Sequence, residues 1–368
     1  MTCADNKLRR TRFHAPLFVA AGIEPPLPPS TRFQGSKLKL LDWIWSKIGD
    51  LDFDSALDAF GGSACVSHFL KAKQKLVTFN DIMRWNCLCA QAIVANDTEL
   101  LSEGDISRVF LRDQSRDYDN LVEREFHDVY FTDEENAWLD TVAQNIPQLG
   151  TENLRALAYY ALFQAAISKR PYNLFHRKNL YMRLATVQRS FGNKATWDKA
   201  FDEHFRVFAQ EANRAVFASG RTCSILNLDA VAVPGEYDLV YIDPPYVSAQ
   251  GVGVDYQGFY HFLEGLATYP GWAARIDYRS KHRRLRPEPT PWTNPRGIAD
   301  AFRDVFARFR KSILVISYRS DGMPSLEDLG GLLKSFKRNV VLHMLNGSYT
   351  YVLSKNRRST EALLVGTD

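Results

Sequence analysis

Hydrophobic residues in the first hundred positions follow two kinds of spacing. Across residues 37–48 they recur every three or four positions, which predicts a helix. The apolar run at residues 55–60 predicts a strand, and it ends in a turn that contains Gly61 and Gly62. The alternation continues with a helix, a strand and a helix at residues 64–73, 76–79 and 85–96. Because strands that alternate with helices form parallel sheets, the pattern predicts an α/β fold with a Rossmann-like, doubly wound, mostly parallel sheet.

This alternation stops near residue 97 and resumes near residue 221. The segment between is rich in charged and aromatic residues, and its pattern is mainly helical. Further strands are predicted at residues 223–228, 239–242, 313–316, 340–344 and 362–365. We therefore expect an N-terminal arm and the first part of an α/β domain at 1–96, an inserted helical domain at 97–220, and the second part of the α/β domain at 221–368. Residues 1–30 are basic and then proline-rich, which predicts an extended arm or cap.

Length and cysteine content narrow the class of protein. At 368 residues the chain exceeds the usual size of a single core, which favours a large domain carrying a smaller one. No apolar run approaches the roughly 18 residues of a membrane-spanning helix, and the stretch at 15–23 is short, runs into prolines and lacks a signal-peptide cleavage site. We expect a cytoplasmic protein without disulfides or a metal site, because its cysteines are odd in number and lack metal-ligand spacing: Cys3, Cys65, Cys87, Cys89 and Cys223.

Positive charge is concentrated in one segment, although the formal net charge is only +4. Residues 153–197, the acid-free tract, contain no aspartate or glutamate and eight basic residues: Arg155, Lys169, Arg170, Arg177, Lys178, Arg183, Arg189 and Lys194. Subtracting these eight charges leaves the rest of the chain at about −4. A second basic cluster contains Arg279, Lys281, Arg283, Arg284 and Arg286. Such asymmetry is typical of nucleic-acid contacts, and a solvated surface face is the alternative for both regions.

The strand predicted at 239–242 stops abruptly at Asp243-Pro244-Pro245-Tyr246. Two adjacent prolines make this turn rigid, and it lies at the carboxyl end of a strand, where ligands bind in open α/β sheets. An aryl amine held by the Asp243 carboxylate and the Pro244 carbonyl, with its ring stacked on Tyr246, would point its nitrogen lone pair toward an electrophile. An ordinary Pro-Pro turn with a capping aspartate is the alternative.

A cofactor loop is predicted earlier in the chain, at Asp58-Ala59-Phe60-Gly61-Gly62-Ser63-Ala64. Glycines between a strand and a helix let a cofactor approach the backbone closely. Asp81 follows the next strand, about 20 residues after the glycines, where an acidic residue commonly binds ribose hydroxyls. Capping of the following helix is the alternative role for Asp81, and the two roles are compatible.

These motifs, in this order, resemble the Dam-like, or alpha-group, adenine-N6 DNA methyltransferase family, and the resemblance covers most of the chain. Phe33-Gln34-Gly35-Ser36-Lys37 matches the family's aromatic-x-Gly-x-Lys element, residues 58–64 its cofactor loop and residues 243–246 its catalytic motif. Tyr260-His261-Phe262-Leu263, Ser317-Tyr318 and the closing segment 355–365 are also similar to family elements. The order distinguishes the alpha group from other amino-methyltransferases.

The resemblance implies S-adenosylmethionine as cofactor and double-stranded DNA as substrate. It implies that Asp81 binds the ribose of the cofactor and that Asp229 accepts a hydrogen bond from the adenine amine of the cofactor. The alternative for Asp229 is an ordinary role in a turn. The full implied cofactor set is Phe33, Gln34, Gly35, Lys37, Asp58, Phe60, Gly61, Gly62, Ser63, Asp81 and Asp229. Ala64 stands where the family has a second glycine, a change that is tolerable if the helix has already begun there.

The implied reaction is N6 methylation of an adenine that is flipped out of the duplex, since a stacked base cannot reach a buried donor. The insertion then becomes a target-recognition domain, whose expected DNA contacts are Lys169, Arg170, Arg177, Lys178, Arg183 and Arg189. We expect a role in restriction-modification or a related system, with a restriction endonuclease as a potential companion and no obligatory protein partner. The alternatives are a cytosine-N4 methyltransferase, an RNA or protein-glutamine methyltransferase and a non-enzymatic nucleic-acid-binding protein.

Overall fold

A seven-stranded sheet forms the centre of the protein in the computed structural model, which describes residues 26–29, 32–186, 194–248, 250–345 and 359–368. The strand order is β3-β2-β1-β4-β6-β9-β8. Its strands are β1 Ser55–Asp58, β2 Leu76–Asn80, β3 Ser224–Leu226, β4 Leu239–Ile242, β6 Ile313–Arg319, β8 Asn339–Met344 and β9 Glu361–Thr367. Two short strands, β5 Val247–Ser248 and β7 Gly322–Met323, pair with each other outside this sheet.

Helices precede, separate and follow the strands. The early ones are α1 Leu41–Ile48, α2 Cys65–Ala72 and α3 Arg84–Ala90, which continues into a π-helical turn at Gln91–Ala95. Between β2 and β3 lie α4 Glu103–Phe110, α5 Leu121–Glu125, α6 Asp133–Asn145, α7 Glu152–Ser168, α8 Leu180–Leu184, α9 Lys194–Asp198 and α10 Phe201–Ala215. The late ones are α11 Tyr256–Ala267, α12 Trp272–Arg275, α13 Ile298–Arg308 and α14 Leu326–Lys334.

The sheet is parallel from β3 to β6, and β9 runs antiparallel to both of its neighbours. The chain moves outward from β1 through β2 to β3 and then returns to place β4 on the other side of β1. Loops that leave β1 and β4 at their carboxyl ends therefore diverge to opposite faces. A crevice at such a switch point is where open α/β sheets bind their ligands.

Alternate residues of the central strands belong to two separate hydrophobic cores. Ala56 of β1 and Tyr241 of β4 face a core that also contains α7 and α10, whereas Leu57 and Val240 face the core under α13 and α14. Burial on both faces explains why these strands are almost uniformly apolar.

Helix α7 shows how the inserted segment packs. Thr151 caps its start, and every residue from Ala156 to Ser168 is buried. It packs against α10 and α3, inside the same core that covers one face of the sheet. A helix that is apolar all round must be buried in this way. The proposed division at residues 97 and 220 stays a prediction, since this core continues across both positions.

The predicted fold class is confirmed, and most boundaries differ by a few residues at strand or helix ends. The strand predicted at 223–228 is limited to β3, because Asn227 and Leu228 leave the ladder to bond the end of β2. The helix predicted at 37–48 begins as a 3-10 turn at Leu38–Leu40. Of the predicted N-terminal arm, only residues 26–29 are among those the structure describes.

Candidate active site

The Asp243-Pro244-Pro245-Tyr246 turn lies at the carboxyl end of β4, directly beside the end of β1. All four residues of β4 are buried, and its register with β1 sets Tyr241 opposite Asp58. Pro244 and Tyr246 are buried, while the side chain of Asp243 is 15% exposed. The turn therefore presents one partly accessible carboxylate at the switch point of the sheet.

The glycine turn after β1 depends on two close approaches. Gly62 has φ +49°, and its amide donates to a carboxylate oxygen of Asp81 at 2.9 Å. A Cβ at Gly61 would lie 2.0 Å from the ring of Phe79, so a side chain there would collide with β2. Ala64 takes φ +61°, and helix α2 begins at the next residue, Cys65. The helix has thus not begun at Ala64, and this alanine adopts a left-handed conformation that costs about 1 kcal/mol or more.

Asp81 connects the loops that follow β1 and β2. Its carboxylate accepts one hydrogen bond from Gly62 and another from the amide of Met83 at 2.8 Å, just before α3. Burial raises the pKa of Asp81, and these amide donors partly oppose that rise. The contact with ribose stays a prediction, and the observed hydrogen bonds show that the carboxylate also holds the glycine turn in place.

Asp58 is the last residue of β1 and is almost completely buried. It accepts a hydrogen bond of 2.8 Å from the hydroxyl of Ser67 in α2. Burial raises the pKa of Asp58 to about 7, against a lowering effect of the Ser67 hydrogen bond. This side chain anchors the first turns of α2 at the edge of the site.

The aromatic-Gly-Lys element packs against α11. The ring of Phe33 stacks on Tyr256 and Tyr260, with centroids 5.5 and 5.1 Å apart, and the amide of Gln34 donates to the hydroxyl of Tyr260 at 2.8 Å. Gly35 has φ +86°, and a Cβ there would lie 2.5 Å from the hydroxyl oxygen of Tyr256. Glycine is therefore required where this segment crosses the helix.

The side chain of Lys37 reaches the catalytic turn, a contact that the sequence motif did not predict. Its Nζ lies 2.8 Å from Oδ2 of Asp243 and 3.4 Å from Oε1 of Glu361, and it donates to the hydroxyl of Tyr246 at 2.7 Å. Burial alone would lower the pKa of Lys37, but the carboxylates of Asp243 and Glu361 hold that pKa above its ordinary value. Lys37 is therefore a buried cation fixed between two acids.

Sequence reasoning missed Glu361, the first residue of β9. It is fully buried and accepts a hydrogen bond of 2.6 Å from Ser317, which belongs to the Ser-Tyr element on β6. A glutamate at the head of the apolar run Ala362–Val365 is the signal that could have identified it, because buried glutamates are rare unless paired.

The hydroxyl of Tyr246 joins the two carboxylates of the site. It donates to Oδ1 of Asp243 at 2.8 Å and lies 3.1 Å from Oε1 of Glu361. Burial raises the pKa of Asp243 and the nearby Glu361 adds to the rise, while Lys37 opposes it. The ammonium of Lys37 and the phenol of Tyr246 therefore hold the Asp243 carboxylate from one side.

These residues surround a cavity of about 640 Å³. Its walls come from the loops after β1, β2, β3 and β4, from the aromatic-Gly-Lys element and from residues 287–293. All predicted catalytic residues line it, as do all predicted cofactor-binding residues except Gln34. The volume lies within the range of about 300–1,000 Å³ that is usual for small-molecule sites. The open glycine backbone, the acidic side chains, Asp81 and Asp229 among them, and the apolar walls suit a nucleoside.

Asp229 reaches this cavity from the loop after β3. Its side chain is exposed, and one carboxylate oxygen accepts a hydrogen bond from the amide of Val231 at 3.0 Å. The turn role and the predicted contact with the cofactor are both compatible with this position.

Half of the expected DNA-contact set is buried. Lys169, Arg170 and Arg183 are only 1%, 1% and 4% exposed. Lys169 and Arg183 both pair with the carboxylate of Glu135, at 2.9 and 2.7 Å. Arg170 lies 4.2 Å from the ring centroid of Tyr130, and burial lowers the pKa of this arginine to about 9. These three cations are directed into the interior in this structure, and their contacts with DNA stay a prediction.

The remaining predicted contacts have a different environment. Arg177 and Lys178 are exposed, and Arg189 lies outside the described residues. In the second basic cluster, Arg279, Lys281 and Arg286 are exposed.

Over the described ranges, no three histidine, cysteine, aspartate or glutamate side chains are grouped so that they could hold a metal ion. In the same ranges, none of the helices has both the length and the apolar character needed to cross a membrane.

Comparisons with known proteins extend these observations. Among curated proteins, the type II methyltransferase M2.HphI of Haemophilus parahaemolyticus is 25% identical over 347 residues, which cover 92% of this chain and 97% of the relative. The type II methyltransferase M.CviAII of Paramecium bursaria Chlorella virus 1 is 24% identical, over 82% and 87% of the two chains. The modification methylase LlaI of Lactococcus lactis subsp. lactis is 20% identical over 88% of this chain, which spans about half of that longer relative.

A family-level match covers both candidate loops and the segment between them. The model of the D12 class N6 adenine-specific DNA methyltransferase family matches residues 33–270, well over half of the chain. This range begins at Phe33, includes the glycine turn and the catalytic turn, and ends just after α11. The chain therefore belongs to the D12 class of N6 adenine-specific DNA methyltransferases.

Proposed function

We propose that this protein transfers a methyl group from S-adenosylmethionine to the N6 amine of an adenine within a specific duplex sequence. The observation that carries the proposal is that the Asp243–Tyr246 turn and the glycine turn line one cavity at the switch point of the sheet. S-adenosylmethionine supplies an electrophilic sulfonium methyl group. Gly61, Gly62, Asp81 and Asp229 line this cavity and would hold the cofactor, and the ring of Phe33 lies next to Gly62.

The catalytic turn has one task, to orient the amine of the flipped base. The amine hydrogens donate to the carboxylate of Asp243 and to the carbonyl of Pro244, and the adenine ring stacks against Tyr246. The nitrogen lone pair would then form the new N–C bond as the S–C bond of the sulfonium breaks, which leaves S-adenosylhomocysteine, and the proton lost by the amine would pass to solvent. The Asp243 carboxylate stabilises the positive charge that develops on the nitrogen.

Lys37 and Glu361 act on this chemistry through Asp243 and Tyr246. The ammonium of Lys37 contacts both carboxylates, and the phenol of Tyr246 lies between them. We assign positioning roles to both residues: they fix the orientation of the Asp243 carboxylate without contacting the base. Replacing Glu361 with Gln keeps the shape and removes a charge, so it should lower the rate of transfer and shift its pH dependence with little effect on DNA binding.

The test is transfer of labelled methyl from S-adenosylmethionine to duplex DNA in a single turnover. Loss of one preorganised polar contact at a reacting centre costs about 10²–10³ in rate, so Asp243→Ala should nearly abolish transfer. Tyr246→Ala should also impair it, and Tyr246→Phe should retain part of the rate because the ring face remains. Product nucleosides identify the acceptor atom, and N4-methylcytosine would replace the adenine assignment.

Two controls make this test decisive. Cofactor binding and DNA binding, measured separately, should survive in Asp243→Ala. Substantial transfer by that variant, or equal losses in Tyr246→Phe and Tyr246→Ala, would contradict the mechanism.

We also propose that the protein serves a restriction-modification system, with a restriction endonuclease that reads the same sequence. The support is that several relatives carry the names type II methyltransferase or modification methylase. Sequencing of DNA methylated by the pure protein gives the target. An endonuclease from the same cells should then cleave only the unmethylated form of that target.

A further inference from the structure

The second basic cluster lies on a well-defined loop, residues 276–286, which we call the basic loop. Ile276 and Leu285 are buried and form an antiparallel bridge at its base. The amide of Asp277 donates to the carbonyl of Arg284 at 2.8 Å, and that of Arg286 to the carbonyl of Arg275 at 2.8 Å. These bonds give the loop a hairpin-like stem that presents its tip in a fixed position.

The tip of the basic loop carries exposed positive charge. The side chain of Arg279 is 90% exposed, and Lys281 is exposed and makes no ion pair with any described residue. Arg283 lies 5.3 Å from the ring centroid of Tyr278, which is itself half exposed. The loop contains five basic residues and one acid, Asp277, which is buried and pairs with Arg279 and Arg284. Its surface is therefore strongly cationic.

This tip forms one wall of a groove whose other wall belongs to the inserted segment. The groove has a volume of about 490 Å³, and we call it the basic groove. Its charged lining residues are Arg124, Glu125, Lys178, Arg279, Lys281 and Arg283. The one acid among them, Glu125, already accepts a hydrogen bond from Arg124 at 3.0 Å. Lys178 is half exposed and pairs with Asp128 at the surface. Cations thus face each other across an open groove.

The two ends of the basic loop lead to the active site. Arg275 and Pro287, which flank the loop, both line the catalytic cavity. Ser280 at the tip is five residue steps from Arg275, so the chain can span at most about 16–18 Å between them. That distance corresponds to roughly five base-pair steps at 3.4 Å along one DNA strand. A backbone held in the groove therefore runs within a few nucleotides of a base that enters the cavity.

We propose that the basic groove binds the phosphate backbone of the duplex beside the target base, with the basic loop as its main contact. The inference deepens the proposed function and rests on it. Phosphate contacts supply most non-specific affinity for DNA and make it depend on salt. Loop residues on one wall and Lys178 on the other would then fix the register of the duplex relative to the Asp243 turn.

The test uses the variant Arg279→Gln/Lys281→Gln/Arg283→Gln in the full chain. The matched control, Arg303→Gln/Arg310→Gln/Lys311→Gln, removes the same number of positive charges at and after helix α13, which packs on the opposite face of the sheet. Binding to a fluorescent duplex is measured between about 50 and 200 mM salt, where each lost phosphate contact lowers the log–log slope by about 0.9. We expect the slope of the loop variant to fall by about two to three and its affinity by tenfold or more.

Two further measurements separate contact from folding. Binding of S-adenosylmethionine should be unchanged in the loop variant, and thermal unfolding should shift only slightly because Arg284 still pairs with Asp277. Arg279→Lys/Arg283→Lys, which keeps the charge, should show the wild-type salt slope. In methyl transfer, the loop variant should raise the KM for DNA and retain kcat at saturating duplex.

The outcomes distinguish this inference from the proposed function. If the wild-type protein methylates and binds DNA, but the loop variant matches the control in slope and KM, the groove assignment is overturned while the function stands. If the wild-type protein neither binds nor methylates duplex DNA, both are overturned. If the loop variant loses affinity for DNA and Arg279→Lys/Arg283→Lys loses it as well, the loop has a structural role. That result would also overturn the assignment of the groove as a phosphate-binding site.

Discussion

Two regions of this chain are rich in arginine and lysine, and the fold uses them in opposite ways. In the acid-free tract, Lys169, Arg170 and Arg183 are buried and bonded to interior acceptors. In the basic loop, Arg279 and Lys281 project into solvent from a short stem. The acid-free tract therefore places three of its cations in the interior, while the basic loop contributes its charge to the surface.

The two regions differ in which residues supply the negative charge that balances their cations. An acid-free stretch of sequence is not an acid-free environment, because Glu135 of α6 lies between Lys169 and Arg183 in space. The same Glu135 also closes a capping box with Thr132 at the start of its own helix. Asp277 has a similar position under the basic loop, but it balances only two of the five cations there. Local charge counts cannot detect pairing across distant segments.

The largest expected effect is on the free energy of unfolding, and it tests whether the buried cations of the acid-free tract have an interior role or a surface role. Glu135→Gln leaves two buried cations without their counter-charge, which should destabilise the protein by about 3–5 kcal/mol. Urea unfolding measures the loss, and Glu134→Gln, an exposed neighbour in the same helix, should change stability by less than about 0.5 kcal/mol. If Glu135→Gln had normal stability and a weaker salt dependence of DNA binding, the cations of the acid-free tract would have a surface role and not an interior one.

The pH dependence of stability gives a second, smaller effect at the same pair. Burial tends to raise the pKa of Glu135, but Arg183 and Lys169 outweigh it, so the pKa is lower than in the unfolded chain. A lowered carboxyl pKa contributes stability that is present above the unfolded value, near 4.3, and is lost as pH falls through the folded value. The stability gap between wild type and Glu135→Gln should therefore be full near neutral pH and should narrow below about pH 4.

This pH test has its own control in the same helix. Glu134 is exposed, so the stability gap between wild type and Glu134→Gln should stay below about 0.5 kcal/mol across the same pH range. A gap between wild type and Glu135→Gln that stays constant down to pH 3 would show that the carboxylate of Glu135 is not what the two cations require.

The smallest expected effect concerns the part of the acid-free tract that does reach the surface. Arg177→Gln/Lys178→Gln removes two exposed charges, one of which lines the basic groove. The salt slope of DNA binding should fall by at most about two, less than in the loop variant, with cofactor affinity retained. Lys194→Gln/Lys199→Gln is the matched pair, exposed but outside the groove. Equal salt slopes for the two double variants would show that Lys178 belongs to a solvated surface and does not contact DNA.

Prediction from sequence succeeded where a signal is local. The strand at Leu239–Ile242 and its Asp-Pro-Pro-Tyr turn can be recognised from an apolar run followed by two prolines. The glycine turn after β1 is recognisable for the same reason, although the left-handed Ala64 was not foreseen, because its conformation depends on where α2 begins. Lys37 was assigned to the site, but its bond to Asp243 joins residues 206 positions apart in sequence.

The sequence by itself determined the alternation of strands and helices, the order of the motifs and the identity of the groups that can orient an amine. These features follow from short-range periodicity and backbone chemistry, which do not depend on the rest of the chain. Only the tertiary structure decided that Glu361 and Lys37 meet at Asp243, that Glu135 pairs with Lys169 and Arg183, and that the tip of the basic loop faces solvent. The physical reason is that pairing and burial of charge are set by through-space distance and local dielectric, and residues far apart in sequence supply both.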